Sequence, residues 1–105
     1  DRGDRGDREE RGVLRVRLHR AKGLRAADRN GKSDPYVVAH LAGSKLKQRS
    51  KTVRKTLEPV WDEVLEFDCT LTDLLAQQLV FKVYDWDRLS LNDLLGEVTI
   101  GLTPL

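Results

Sequence analysis

From Val13 onward, apolar residues recur at every second position: Leu14, Val16 and Leu18 alternate with Arg15, Arg17 and His19. A period of two places successive side chains on opposite faces of an extended chain, so this segment reads as a strand with one buried face. Further β-prone runs follow at 36–41, 46–54, 61–67, 79–84 and 95–102, separated by segments rich in turn residues. Leu65 and Phe67 alternate with Val64 and Glu66, and Leu79, Phe81 and Val83 form a second such set. Strands that are dry on one face and wet on the other belong to antiparallel sheets. The expected fold is an all-β antiparallel sandwich of six strands. Only 72–78 looks helical, a short turn with Thr72 as its N-cap.

A chain of 105 residues is the size of one domain. Its longest apolar runs, such as Leu79-Val80-Phe81, are too short for a membrane-spanning helix or a signal-peptide core. Cys69 is the one cysteine, and with only His19 and His40 beside it there is neither an internal disulfide nor a zinc-ligand set. These features point to a soluble protein of a reducing cytosol.

Residues 1–11 repeat Asp-Arg-Gly and contain no apolar side chain, so nothing offsets the entropy of ordering them. They read as a flexible charged arm, leaving 12–105 as the domain. Arg-Gly-Asp occurs twice in the arm, which low-complexity repetition explains better than integrin recognition. Outside the arm, fifteen basic and twelve acidic residues leave a net charge of +3. That excess is too small for wrapping nucleic acid, but it suits an anionic surface if the basic residues cluster.

Two acidic loops carry the chemistry. Asp28-Arg29-Asn30-Gly31-Lys32-Ser33-Asp34-Pro35-Tyr36 lies between the first and second strands, and Asp85-Trp86-Asp87-Arg88-Leu89-Ser90-Leu91-Asn92-Asp93 between the fifth and sixth. Either loop alone reads as a solvated turn. Brought to the same end of a sandwich, Asp28, Asp34, Asp85, Asp87 and Asp93 would repel one another unless cations took up their charge. Calcium takes about six to eight hard oxygen ligands, which convergent carboxylates and loop carbonyls supply. An EF-hand is excluded by spacing: counted from Asp28, Gly31 stands fourth rather than sixth, and Ala39 occupies the position of the bidentate Glu.

These residues resemble a known family. Asp28 with Ser33-Asp34-Pro35-Tyr36-Val37, then Lys55-Thr56-Leu57-Glu58-Pro59-Val60-Trp61, then Val83-Tyr84-Asp85-Trp86-Asp87 with Ser90, Asp93, Leu95 and Gly96, are similar to the C2 domains of synaptotagmins, extended synaptotagmins and related multi-C2 proteins. The resemblance spans 13–102. It implies a Greek-key β-sandwich that binds two or three calcium ions through Asp28, Asp34, Asp85, Asp87 and Asp93. It further implies Ser90 as a hydroxyl ligand and the carbonyls of Ala27, Trp86 and Leu91 as the remaining ones. All five Asp positions are filled in this sequence.

The resemblance also implies docking on anionic phospholipid membranes. Two calcium ions would take the loop end from about −5 to about −1, after which lipid phosphates are no longer repelled. Arg29 at the first loop tip would meet headgroups, and Leu89 would supply the apolar tip of the other loop, so that insertion is shallow. Lys45, Lys47, Arg49 and Lys51 are two apart and would share one face of a strand. They read either as a solvated edge protected from aggregation or, by resemblance, as a polybasic lipid-binding patch. Trp61 is expected in the core and Trp86 as support for its loop. No nucleophile motif surrounds either His, so catalysis has no candidate.

C2 domains have eight strands, against the six read here. One or two terminal strands are therefore expected to be absent, leaving a fragment with exposed sheet edges and a tendency to self-associate. The rival to calcium-dependent membrane docking is a protein-interaction domain whose basic strand binds an acidic partner without calcium.

Overall fold

The computed structural model describes residues 11–25, 33–42, 45–70, 73, 78–87 and 92–102. Six strands run in chain order: β1 (Arg11–Arg20), β2 (Pro35–Leu41), β3 (Lys47–Arg49), β4 (Val60–Thr70), β5 (Gln78–Asp85) and β6 (Asp93–Gly101). All pairings are antiparallel, with β1 and β4 forming one sheet and β3-β2-β5-β6 the other. The expected antiparallel sandwich of six strands is thus the architecture found.

The period-two pattern fixes which faces meet. Leu14 is opposite Phe67 and Val16 opposite Leu65, while Ala39 pairs with Phe81 and Leu41 with Leu79. The core is the layer between these sets, built from Ala39, Leu41, Leu65, Phe67, Cys69 and Leu79, with Leu14, Val16, Leu18 and Phe81 packed against it. Cys69 is a buried free thiol, and Trp61 at the start of β4 is 2% exposed, as expected of a core residue. On the wet face of the first sheet, Arg15 pairs with Glu66 and Arg17 with Asp62, each at 2.8 Å. Such exposed pairs are worth about 0.2–1 kcal/mol and set register more than stability.

Three segments differ from the sequence reading. The third strand covers Lys47–Arg49 and not 46–54. At Ser50 the ladder is half kept: its N–H donates to the Val37 carbonyl at 2.8 Å, but the Val37 N–H is accepted by the buried Ser50 hydroxyl at 2.8 Å, which in turn donates to the Lys51 carbonyl at 2.8 Å. Beyond it the chain follows β2 irregularly, with Val53 N–H donating to the Pro35 carbonyl and Thr56 N–H to that of Ser33. Gln78 opens β5 and does not close a helix. Thr70 N–H donates to Asp73 Oδ2 and Asp73 N–H to Thr70 Oγ1, the reciprocal pattern of a capping box. The expected cap, Thr72, lies outside the described residues. Finally, Arg11, read as the end of the arm, pairs with Thr70 at the start of β1.

Candidate metal centre

Register brings the acidic residues to one end of the second sheet. Pro35, the first residue of β2, pairs with Asp85, the last of β5, and Asp85 pairs in turn with Asp93, the first of β6. Asp34 stands one residue before β2, so three of the five Asp candidates sit at neighbouring strand ends. Asp87 follows two residues beyond β5 and is exposed. Asp28, Ala27, Arg29, Leu89, Ser90 and Leu91 lie outside the described residues.

Hydrogen bonds hold this end in shape. The Asp34 N–H donates to Asp85 Oδ1 at 2.7 Å, and the Asp34 carbonyl accepts the Trp86 N–H at 3.0 Å. These two bonds tie the first acidic segment to the start of the second. Asp34 Oδ1 accepts the Lys55 N–H at 2.7 Å, and the Arg54 guanidinium stands 3.9 Å from the same oxygen. Lys55 has φ 55°, a left-handed conformation that costs a side-chain-bearing residue energy and is held here by the Asp34 carboxylate. Ser33, fully buried, donates through Oγ to the Arg25 carbonyl at 3.2 Å, and Arg25 donates to the Leu94 carbonyl at 2.9 Å. The 86–92 side is braced by Asn92, whose Oδ1 accepts the Asp87 N–H at 2.8 Å and whose Nδ2 donates to the Tyr36 hydroxyl at 2.6 Å.

The donor set is entirely hard oxygen, the chemistry of calcium or magnesium and not of zinc or copper. Asp85 is 5% exposed, so its carboxylate is held in a dry setting where a second charge counts strongly. Each of the Asp34 and Asp85 carboxylates has one oxygen bonded to a backbone N–H, which orients it, and a carboxylate has acceptor capacity for more than one partner. Among the described residues, no three Asp, Glu, His or Cys side chains stand together closely enough to hold a metal ion. The fit therefore rests on donor chemistry and on the shared strand end.

The basic residues lie along the β3 edge of the same sheet. Arg49 is opposite Val38 and Lys47 opposite His40, so both share a face, while Lys45 and Lys51 are exposed on either side of the short strand. Lys51 follows the Ser50 bridge and does not continue the strand. Arg49 lies over the Tyr36 ring at 3.8 Å, and Tyr36 stacks on Tyr84 with centroids 5.6 Å apart. Sequence reasoning gave Asn92, Tyr36 and Lys55 no part in the site. Asn92 closing a loop on its own backbone is the one such signal a sequence offers; the Tyr36 and Lys55 roles depend on long-range contacts.

A family model described as the C2 domain matches residues 12–105. The chain belongs to the C2 family. Human synaptotagmin-9 is 48% identical over 88 residues, covering 83% of this chain and 18% of that protein. Synaptotagmin-1 of Caenorhabditis elegans is 40% identical over 94 residues, 89% of this chain and 21% of that one. The chain thus spans about a fifth of the length of these relatives. Among solved structures, a C2 domain of RIM from Drosophila superposes with a TM-score of 0.78 at 32% identity, covering 86% of this chain and 75% of that chain. A C2 domain of plant extended synaptotagmin 1 gives 0.77 at 32% identity, covering 87% and 69%. A match to human GIVD cytosolic phospholipase A2 takes in 12% of that chain and carries no activity across to this C2 domain.

Proposed function

We propose that this C2 domain is a calcium-dependent phospholipid-binding module that docks its parent protein on anionic membranes. The observation that supports the reading is the position of Asp34, Asp85 and Asp93 at adjacent strand ends, with the Asp34 backbone bonded to the Asp85 carboxylate. Bound calcium, two or three ions, would supply positive charge and open coordination positions for lipid phosphate oxygens.

The chain's own residues do the rest. Asp28, Asp34, Asp85, Asp87 and Asp93, with Ser90 and the carbonyls of Ala27, Trp86 and Leu91, form the ligand set. Asp34 and Asp85 are pre-oriented by backbone N–H groups, which lowers the ordering cost of capture. Arg29 meets headgroups and Leu89 enters shallowly. Lys45, Lys47, Arg49 and Lys51 add a calcium-independent attraction of roughly 1 kcal/mol each near an anionic surface. The module is cytoplasmic, becomes peripheral to the membrane when calcium rises, has no catalytic role and does not bind nucleic acid.

Co-sedimentation with phosphatidylserine liposomes tests this reading. Binding should appear with calcium and disappear with chelator; pelleting that is the same in both contradicts it. A second reading, calcium-free binding of an acidic protein partner, draws on the exposed Lys47 and Arg49, and predicts capture that salt, and not chelator, disrupts.

A further inference from the structure

A line of side-chain contacts runs from the basic edge of the second sheet to its acidic end. Arg49 reaches from β3 over the Tyr36 ring at 3.8 Å, and Tyr84 stacks on the same ring from β5 with centroids 5.6 Å apart. Because β3 and β5 flank β2 on opposite sides, the ring is held from both. At 6% exposure it has little room to turn. Tyr36 stands two residues after Asp34 and beside Pro35, the partner of Asp85, so its hydroxyl is a fixed anchor next to the candidate ligands.

Asn92 uses this anchor. Its Nδ2 donates to the Tyr36 hydroxyl at 2.6 Å, while its Oδ1 accepts the Asp87 N–H at 2.8 Å. The Asp87 N–H can only donate, so the amide oxygen has to face it and the NH₂ is left for the tyrosine. With both ends of the carboxamide engaged, its plane is set. An ionised carboxylate at position 92 would accept from Asp87 but could not donate to Tyr36, and would add negative charge next to Asp93. A neutral group with one acceptor and one donor end meets both demands. Asp87 itself is exposed and lies beyond Asp85 and Asp93, the last pair of the β5–β6 ladder, so strand pairing does not fix it.

We propose that Tyr36 and Asn92 are positioning residues of the metal centre: Tyr36 sets the Asn92 carboxamide, which holds the Asp87 backbone and so fixes where the Asp87 carboxylate stands relative to those of Asp85 and Asp93. Resting on the calcium-binding reading, this role adds to it two side chains that touch no metal. Its worth lies in preorganisation, because the cost of ordering a ligand at the moment of capture is subtracted from affinity.

Tyr36→Phe removes one oxygen and keeps the ring, its stack on Tyr84 and the Arg49 contact. In calorimetric titration it should weaken calcium about two- to tenfold, the worth of a neutral hydrogen bond, and Asn92→Ala should weaken it at least as much. The double variant should bind no more weakly than Asn92→Ala, because the hydroxyl acts through the carboxamide. In calcium-free ¹⁵N-labelled protein, the Asp87 amide proton should move upfield in Asn92→Ala and, less far, in Tyr36→Phe, a local signature that a general loss of stability does not produce. Suppose the parent binds calcium but both single variants match it, their losses add in the double variant, or the Asp87 amide stays unmoved; any of these overturns the positioning role and leaves the metal site standing. A parent chain that binds no calcium overturns the reading beneath it, and the positioning role with it.

Discussion

The backbone N–H of Asp34 donates to the carboxylate of Asp85 across 2.7 Å, so one candidate calcium ligand positions another. Replacing Asp85 separates the two roles. Asp85→Asn keeps an oxygen acceptor and should melt close to the parent without calcium, yet lose calcium binding with its charge. Asp85→Ala also strands the Asp34 N–H beside a buried site, and should cost about 1–3 kcal/mol of stability in calcium-free urea unfolding. Equal stability of the two variants would show that the bond does not hold the strand ends together.

Ser50 makes the bridge that ends β3. Ser50→Ala leaves the Val37 N–H without its acceptor in a 1% exposed position, and should destabilise by about 1–3 kcal/mol in thermal or urea unfolding. A change below about 0.5 kcal/mol, the range of ordinary surface substitutions, would contradict that role.

The sequence made the core legible because Leu14, Val16, Leu65, Phe67 and Leu79 all obey one period, and burial on a single sheet face leaves no other register. The acidic strand ends were legible because Asp34 precedes a Pro-led strand and Asp85 closes another. The end of β3 was not, since a serine hydroxyl substituting for a ladder bond depends on where β2 lies. The same holds for Lys55, whose left-handed backbone is set by a carboxylate 21 residues away. The family resemblance in the sequence extended further than its periodicity, implying a ligand set shared between the two loops.

Phe67 is 1% exposed at the centre of the core, whereas Val60 on the same strand is 57% exposed. Phe67→Ala should cost about 3–5 kcal/mol, as other large-to-small core truncations do. Val60→Ala should fall within about 0.5 kcal/mol. Denaturant midpoints compare them directly, and similar losses would mean that the core is not the layer between the sheets.

Neutralising Lys45, Lys47, Arg49 and Lys51 together should weaken attachment to phosphoinositide-rich liposomes and flatten its salt dependence, while calcium binding is retained. Unchanged liposome binding would show these residues to be a solvated face only.

The most direct test of the central claim is calorimetric titration of the chain with calcium at low ionic strength, beside the Asp85→Asn/Asp87→Asn double variant. A saturable heat of binding is expected from the parent chain and none from the variant, although the variant keeps a weak, salt-sensitive attraction to anionic liposomes. No heat from the parent at millimolar calcium, or the same heat from both proteins, would contradict it.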